Sequence, residues 1–279
     1  MTARALLVAR RGGALVPFAP PFAGLDIAGA FAVQAELLAE ACNAEGEAHV
    51  GWKCGATGDA IQQRLGIPEP FFGPLFASDL LLAPALGFVE HADTGGAAHG
   101  GVGGTVVGVE AEFTLRIGKA IPLQRSWSAS ELTPHVEAVI PSIEICSSRF
   151  AGGMVPLPEG TPALIADFAG HGALVLGEAM AMNPAALSAV DNAAVELTIN
   201  GASVATGSAA NVLGHPLESL AWLVNALAET TDHREIPAGA LIATGASCGQ
   251  LPVAPGDAVV ADFGGLGRVA LDFAGAAAE

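Results

Sequence analysis

The chain has 279 residues, of which 52% are hydrophobic and 14% charged, with no Tyr, 36 Gly, 18 Pro and a formal net charge of −17. That length allows one large domain, or a core with a small appendage, and enough burial for independent stability. The negative charge repels nucleic-acid phosphates and anionic lipid, so neither is an expected partner, and an anionic ligand needs a local cation of its own.

The first residues, 1–11, read as a short helix ended by Gly12-Gly13. Their apolar patch is closed off by Arg10 and Arg11, so a secretory leader is not expected. No later apolar run reaches the roughly 18 to 20 residues of a membrane span. Cys42, Cys54, Cys146 and Cys248 are scattered without a C-x-x-C spacing and read as reduced thiols of a cytoplasmic protein. After a Pro-rich loop over 16–24, Asp26 is a plausible N-cap for a helix with Ile27, Phe31 and Leu38 on one face and Gly46 at its end. Val50 to Gly55 reads as a strand carrying Lys53, and Thr57 or Asp59 starts a short helix through Leu65. The stretch from Gly66 to Leu75 is rich in breakers and is expected to be a packed loop leading to Ser78-Asp79. Residues 94–104 are Gly-rich without a G-x-G-x-x-G or Walker pattern, which suggests a mobile loop rather than a nucleotide cradle.

That loop delivers the chain into the most informative stretch. Val109, Ala111, Phe113, Leu115 and Ile117 alternate with Glu110, Glu112, Thr114 and Arg116, so both carboxylates project from one face of a strand. On a partly buried face they are tolerable only with a proton, a basic side chain or a metal nearby. A third carboxylate, Glu144, is set into the apolar run 138–146. Three carboxylates without clustered His or Cys describe an oxygen-only site, suited to Mg²⁺ or Mn²⁺ rather than Zn²⁺. The competing reading makes Glu110 and Glu112 the solvated face of an edge strand, with Glu144 paired to Arg149 or Arg116.

Further on come a strand near Gly172 to Gly177, a hairpin at Val195 to Thr206 turning at Asn200-Gly201, and a helix from Pro216 with Leu217, Leu220, Val224 and Leu227 on one face. The last 45 residues read as short strands, including Ala258 to Phe263 and Arg268 to Phe273. The count favours an α+β fold with a large mixed or antiparallel sheet system and helices packed on it; a division into a small N-terminal α/β region, 1–80, and a core, 81–279, is expected. Gly245-Ala246-Ser247-Cys248-Gly249 matches the G-x-S-x-G elbow by letter, but no helix follows it, which argues against a Ser hydrolase. Lys53 is either a snorkelling edge residue or a buried ammonium that anchors a carboxylate. His171 and His215, each beside a Gly, are candidates to line a pocket, and Asp79 and Asp167 sit where a cap or turn role is the default.

As a set, the blocks Gly51-Trp52-Lys53-Cys54-Gly55, Glu69-Pro70-Phe71-Phe72-Gly73-Pro74-Leu75, Val109-Glu110-Ala111-Glu112-Phe113, Ile143-Glu144-Ile145 and Ser148-Arg149 resemble the 2-keto-4-pentenoate hydratase and 4-oxalocrotonate decarboxylase group of the fumarylacetoacetate hydrolase superfamily. Ile165-Ala166-Asp167, Leu213-Gly214-His215-Pro216, Thr244-Gly245 and Pro255-Gly256-Asp257 continue the match in order. The resemblance implies a fumarylacetoacetate-hydrolase-like fold, a mixed, mostly antiparallel β-sheet roll with packed helices and a small helical N-terminal region. It implies Mg²⁺ or Mn²⁺ on Glu110, Glu112 and Glu144, and catalytic roles for Lys53, at the substrate, and Asp79, as an acid/base. Arg149, Asp167 and Thr244 would fall in substrate-binding blocks. Relatives usually carry Asn and then Ser after the Asp, where this chain has Phe168-Ala169-Gly170-His171, and Phe31 replaces a common Tyr.

The expected activity is a metal-dependent lyase that adds water to a 2-hydroxy-2,4-dienoate, giving a 4-hydroxy-2-oxo acid in meta-cleavage catabolism of aromatic compounds. Alternatives on the same scaffold are decarboxylation of a 2-oxo-3-enedioate, hydrolytic cleavage of an acylpyruvate, and a non-catalytic partner subunit. The expected partners are a small anionic 2-oxo or 2-hydroxy acid and further copies of the chain or a paralogous decarboxylase or hydratase.

Overall fold

A computed structural model describes residues 2–87, 103–123 and 126–274. The chain runs α1 (Thr2–Arg10), α2 (Ile27–Glu45), β1 (His49–Gly55), α3 (Asp59–Leu65), β2 (Phe71–Phe76), β3 (Leu80–Leu82), β4 (Ala85–Gly87), β5 (Thr105–Ile117), β6 (Ile121–Pro122), α4 (Ala129–Leu132) and β7 (Val136–Ser148). It continues through α5 (Thr161–Ala166), β8 (His171–Leu176), β9 (Met180–Ala181), α6 (Pro184–Asp191), β10 (Ala194–Ile199), β11 (Ala202–Ser208), α7 (Pro216–Thr230), β12 (Glu235–Ile236), β13 (Leu241–Leu251), β14 (Ala258–Asp262) and β15 (Arg268–Phe273). Most of the Gly-rich stretch 94–104 lies outside the described residues. Among those described, no helix is long and apolar enough to cross a membrane.

The large sheet has the order β2-β1-β13-β5-β7-β8-β3, with β9 against β7, and a second sheet the order β11-β10-β14-β15-β4. In the large sheet β1 and β13 run parallel, as do β3 and β8, and the other pairings are antiparallel. The α+β class and mostly antiparallel mixed sheet therefore match the sequence reading. The boundary expected near residue 80 falls between strands of one sheet, because β1 and β2 pair with each other and β1 with β13.

Local chemistry explains the elements that form. Asp26 caps α2 by accepting from Gly29 N, and Gly46 ends it in the left-handed conformation. The sequence reading fails at β2, which was expected to be loop. Pro74 faces Trp52 in that pairing, and its missing N–H is tolerated because β2 is the edge strand of the sheet. The expectation of only short strands near the C-terminus fails as well, since β13 spans 11 residues and pairs on both sides.

The apolar face of β5 and β7, with Val109, Phe113, Leu115, Ile143 and Ile145, packs with Leu220, Val224 and Leu227 of α7 and with Phe263 into the main core. Each such side chain contributes about 1.5–3 kcal/mol on burial. A second cluster joins α1, α2 and α5 through Leu6, Leu37 and Ile165, together with Phe76, Phe150 and Phe168. The opposite face of β5 carries the carboxylates, and β5 lies between β13 and β7, so the edge-strand reading of Glu110 and Glu112 is overturned.

Candidate metal centre and active-site cleft

The β5–β7 register places Glu110 directly opposite Glu144, and Glu112 opposite Ser142. Like charges in that relation destabilise a sheet unless something neutralises them. Glu144 is fully buried; its Oε1 lies 2.8 Å from His171 Nδ1, and its Oε2 lies 3.2 Å from Lys53 Nζ. Glu112 is also fully buried, with Oε2 accepting from Gly245 N at 3.0 Å. Gly245 has φ +112, and a Cβ there would stand 2.3 Å from Thr57 Oγ1, so glycine is required where the backbone N–H meets this carboxylate.

Charge sets the protonation of the cluster. Burial, and then the neighbouring Glu144 carboxylate, push Glu110 up to about 7 against the opposing pull of Lys53. Burial, Glu144 and Glu110 raise Glu112 well above the usual carboxylate range. Glu144 goes the other way: burial opposes ionisation, but Lys53 and His171 hold its carboxyl below the ordinary value. Lys53 is 4% exposed, which excludes snorkelling. Burial favours its neutral form, yet the carboxylates of Glu144 and Glu110 outweigh this and keep the ammonium charged. Its Nζ donates to Ala169 O at 3.1 Å. That carbonyl is aimed by Phe168 and Ala169, both left-handed with φ +49 and +57, a conformation costing about 1–2 kcal/mol per non-glycine residue.

Behind Glu144 lies a further layer. His171 Nε2 is 3.6 Å from Asp79 Oδ2, Asp79 pairs with Arg10, and Arg10 Nη1 donates to His171 O at 3.0 Å. Asp79 also accepts from Phe76 N at 3.2 Å and is 1% exposed. The structure therefore places Asp79 outside the lining of the cleft, in a layer with Arg10 behind His171 and Glu144. Arg149 and Asp167 are buried against each other, with Nε to Oδ1 at 2.6 Å, and the two guanidinium Nη atoms donate to His171 O and Asp167 O at 2.6 Å. Arg149 is thus not the partner of Glu144, and Arg116 pairs instead with Glu137 at 3.1 Å. Thr244 Oγ1 donates to Phe113 O at 2.7 Å inside the sheet. Arg149, Asp167 and Thr244 are therefore brought to the frame around the centre rather than to the wall of the cleft. Ser247 Oγ donates to Ala111 O at 2.7 Å within a strand pairing, which closes the Ser-nucleophile reading.

The cleft itself is a cavity of about 530 Å³ whose wall includes Lys53, Glu110 and Cys146. Ile61, Leu65, Phe71, Phe150, Met154 and Leu164 supply an apolar side, and Arg64 adds a cation that has no ion pair among the described residues. Donor atoms of Glu110, Glu144 and Cys146 lie within 4.8 Å of one another. Glu112 Oε1 has no hydrogen-bond partner among the described residues, nor does Glu144 Oε2 beyond its ion pair with Lys53. An excess of buried carboxylates over ammonium groups, with oxygens left unpaired, fits a hard divalent cation. The roles of His171, Arg10 and Arg64 were not read from the sequence. The neighbouring Gly marked His171 only as a pocket candidate, and the similarly marked His215 caps α7 by accepting from Leu217 N.

Residues 59–273 match the family model described as fumarylacetoacetate (FAA) hydrolase C-terminal. The chain is 33% identical to 2-keto-4-pentenoate hydratase 1 of Dechloromonas aromatica, over 94% of this chain and 92% of that protein. It is 32% identical to 4-oxalocrotonate decarboxylase of Pseudomonas putida, over 89% and 86%. Its fold superposes on 4-oxalocrotonate decarboxylase from Pseudomonas putida G7, a structure complexed with magnesium and adipate, with TM-score 0.79 and 25% identity across 98% of this chain and 95% of that one. On these matches and on the fold that carries them, the chain belongs to the fumarylacetoacetate hydrolase family.

Proposed function

We propose that the protein is a divalent-metal-dependent hydratase of a 2-hydroxy-2,4-dienoate, acting in meta-cleavage catabolism in the cytoplasm. Its class is lyase, as for its hydratase relatives. The observation that carries the reading is Lys53: a buried ammonium, held between Glu144 and Ala169 O, at the wall of the same cavity as Glu110. Such a cation in an acidic protein fits a small anionic substrate.

Glu110, Glu112 and Glu144 would hold Mg²⁺ or Mn²⁺, which when bound supplies Lewis-acid polarisation of a 2-oxo acid. The chain's own residues do the rest. Of the three donors on Lys53 Nζ, one goes to Ala169 O and another faces Glu144, which leaves one for the substrate. That N–H meets negative charge as the dienol ketonises, in a site where water does not screen it. The apolar side of the cavity holds the hydrocarbon part of the chain and limits access of bulk water. His171, through Nδ1, fixes the orientation of Glu144 and so of the pair it makes with Lys53.

A second reading is favoured by one observation: Arg64, with no ion pair among the described residues, stands on the cavity wall, where a second carboxylate of a 2-oxo-3-enedioate would meet it, as in decarboxylation. A panel of 2-hydroxydienoates and 2-oxo-enedioates with Mg²⁺, followed for loss of dienol absorbance and for CO₂, separates the two. Hydration without CO₂ supports the first reading, CO₂ release supports the second, and inertness towards both classes overturns each. A symmetric homo-oligomer is also proposed, tested by light scattering at micromolar concentration, where a monomeric mass refutes it.

A further inference from the structure

Cys146 has no part in the reading above. It lies on β7 two residues beyond Glu144, opposite Gly108 of β5 and His171 of β8, and its side chain is buried at the wall of the cleft. Its sulfur and one carboxylate oxygen each from Glu110 and Glu144 fall within 4.8 Å of one another. Bonds of about 2.0–2.3 Å in a tetrahedral set keep donor atoms roughly 3.3–3.8 Å apart, so rotamer adjustments bring these three to one ion. On the same face of β5, the fully buried Glu112 has its Oε1 without a hydrogen-bond partner among the described residues, and Glu144 Oε2 has only its ion pair with Lys53, so carboxylate oxygen remains for a cation.

Hard cations gain little from sulfur, whereas borderline and soft ones gain much. We propose that Cys146 joins Glu110 and Glu144 as a sulfur ligand, making the centre a mixed sulfur and oxygen site for Zn²⁺, Co²⁺ or Cd²⁺ alongside the Mg²⁺ or Mn²⁺ of turnover. The inference rests on the reading of Glu110 and Glu144 as metal ligands. As the metal–sulfur bond forms, the S–H bond breaks and its proton leaves to solvent, with no change of oxidation state. The centre is then thiophilic, and traces of Zn²⁺ or Cd²⁺ displace the hard cation.

Chelator-treated full-length protein titrated with Co²⁺ provides the test. Visible ligand-field bands report a bound ion, and a near-ultraviolet sulfur-to-cobalt charge-transfer band reports the thiolate. The expected result is both bands in the wild-type protein, with the charge-transfer band absent in Cys146→Ala, or in Cys146→Ser if the first variant does not fold. Cd²⁺ affinity should fall at least about tenfold in that variant while Mn²⁺ affinity is kept, because only the softer ion uses sulfur. Ligand-field bands without the charge-transfer band in wild-type protein overturn the inference and leave the carboxylate centre standing. A charge-transfer band that survives in the variant also overturns it, and no Co²⁺ binding at all removes both readings.

Discussion

Glu110 and Glu144 are cross-strand partners in the antiparallel β5–β7 ladder, the first at the wall of the cleft and the second fully buried beside it. The two carboxylates have opposite dependencies. Glu144 is held ionised by Lys53 and His171, while Glu110 is raised by burial and by Glu144.

The first prediction follows from that asymmetry. Glu110→Gln removes a repulsion of the order of 0.5–1 kcal/mol, so the cation-free variant should melt no lower than wild type. Glu144→Gln removes the anion that pairs with buried Lys53, and should cost about 3–5 kcal/mol. Both should weaken Mn²⁺ binding at least about tenfold, since each loses an anionic ligand. Calorimetric titration with Mn²⁺ and thermal melts of cation-free protein check this. Unchanged Mn²⁺ affinity in both variants sinks the metal assignment.

Arg64 carries the discrimination between the two proposed activities. If it anchors a distal carboxylate, Arg64→Met should raise KM for a 2-oxo-enedioate about tenfold, some 1.4 kcal/mol, and leave a dienoate of one carboxylate nearly unaffected. Equal KM values for both substrate classes before and after the substitution would remove Arg64 from recognition.

Acid sensitivity is expected from a second cavity, whose lining does not include Glu110, Glu112 or Glu144. His49 lies there with Trp52, Glu229, Asp232 and His233, and its Nε2 has no partner among the described residues. Burial pushes its pKa down to about 4, with His233 adding to the effect against a backbone hydrogen bond at Gly51. The folded value is below the unfolded one, so the native state is favoured fully above pH ~6.5 and loses that advantage as pH falls towards 4. The loss is at most about 3.4 kcal/mol. Urea unfolding between pH 7 and 4.5 should show a shallower decline for His49→Phe than for wild type; parallel declines would refute it.

How much of this was legible follows from which interactions are local. The alternation through Val109 and Ile117 is a period-2 pattern inside one strand, so β5 and the shared face of Glu110 and Glu112 were readable without partners. The strand β2 was not, because Pro74 argues against a strand until β2 is known to be an edge. Burial of Lys53 depends on β13 and on the turn at Ala169, more than 100 residues away, so spacing left its role open. The service of His171 to Glu144 arises from the β7–β8 pairing, and that of Arg10 to Asp79 from the docking of α1, neither of which has a sequence signature. The resemblance placed Arg149 and Asp167 near the substrate; their mutual pairing is a product of burial that motif blocks do not encode.

The most discriminating variant is Lys53→Met. Lys53 faces Glu144 at 3.2 Å with both side chains buried, so its loss leaves Glu144 charged with His171 as its remaining ion-pair partner among the described residues. Breaking such a pair costs about 3–5 kcal/mol, and the melting temperature of cation-free protein should fall accordingly. A divalent cation restores positive charge next to Glu144, so saturating Mn²⁺ should narrow the gap between variant and wild type. Turnover should not recover with it. If Lys53 meets the charge that develops on the substrate, kcat/KM at saturating Mn²⁺ stays lower by about 10² to 10⁴, roughly 3 to 5 kcal/mol. The paired measurements separate the two roles of one side chain: a melting temperature that Mn²⁺ rescues together with full activity removes Lys53 from the chemistry, and lost activity with an unchanged cation-free melting temperature contradicts the buried pair.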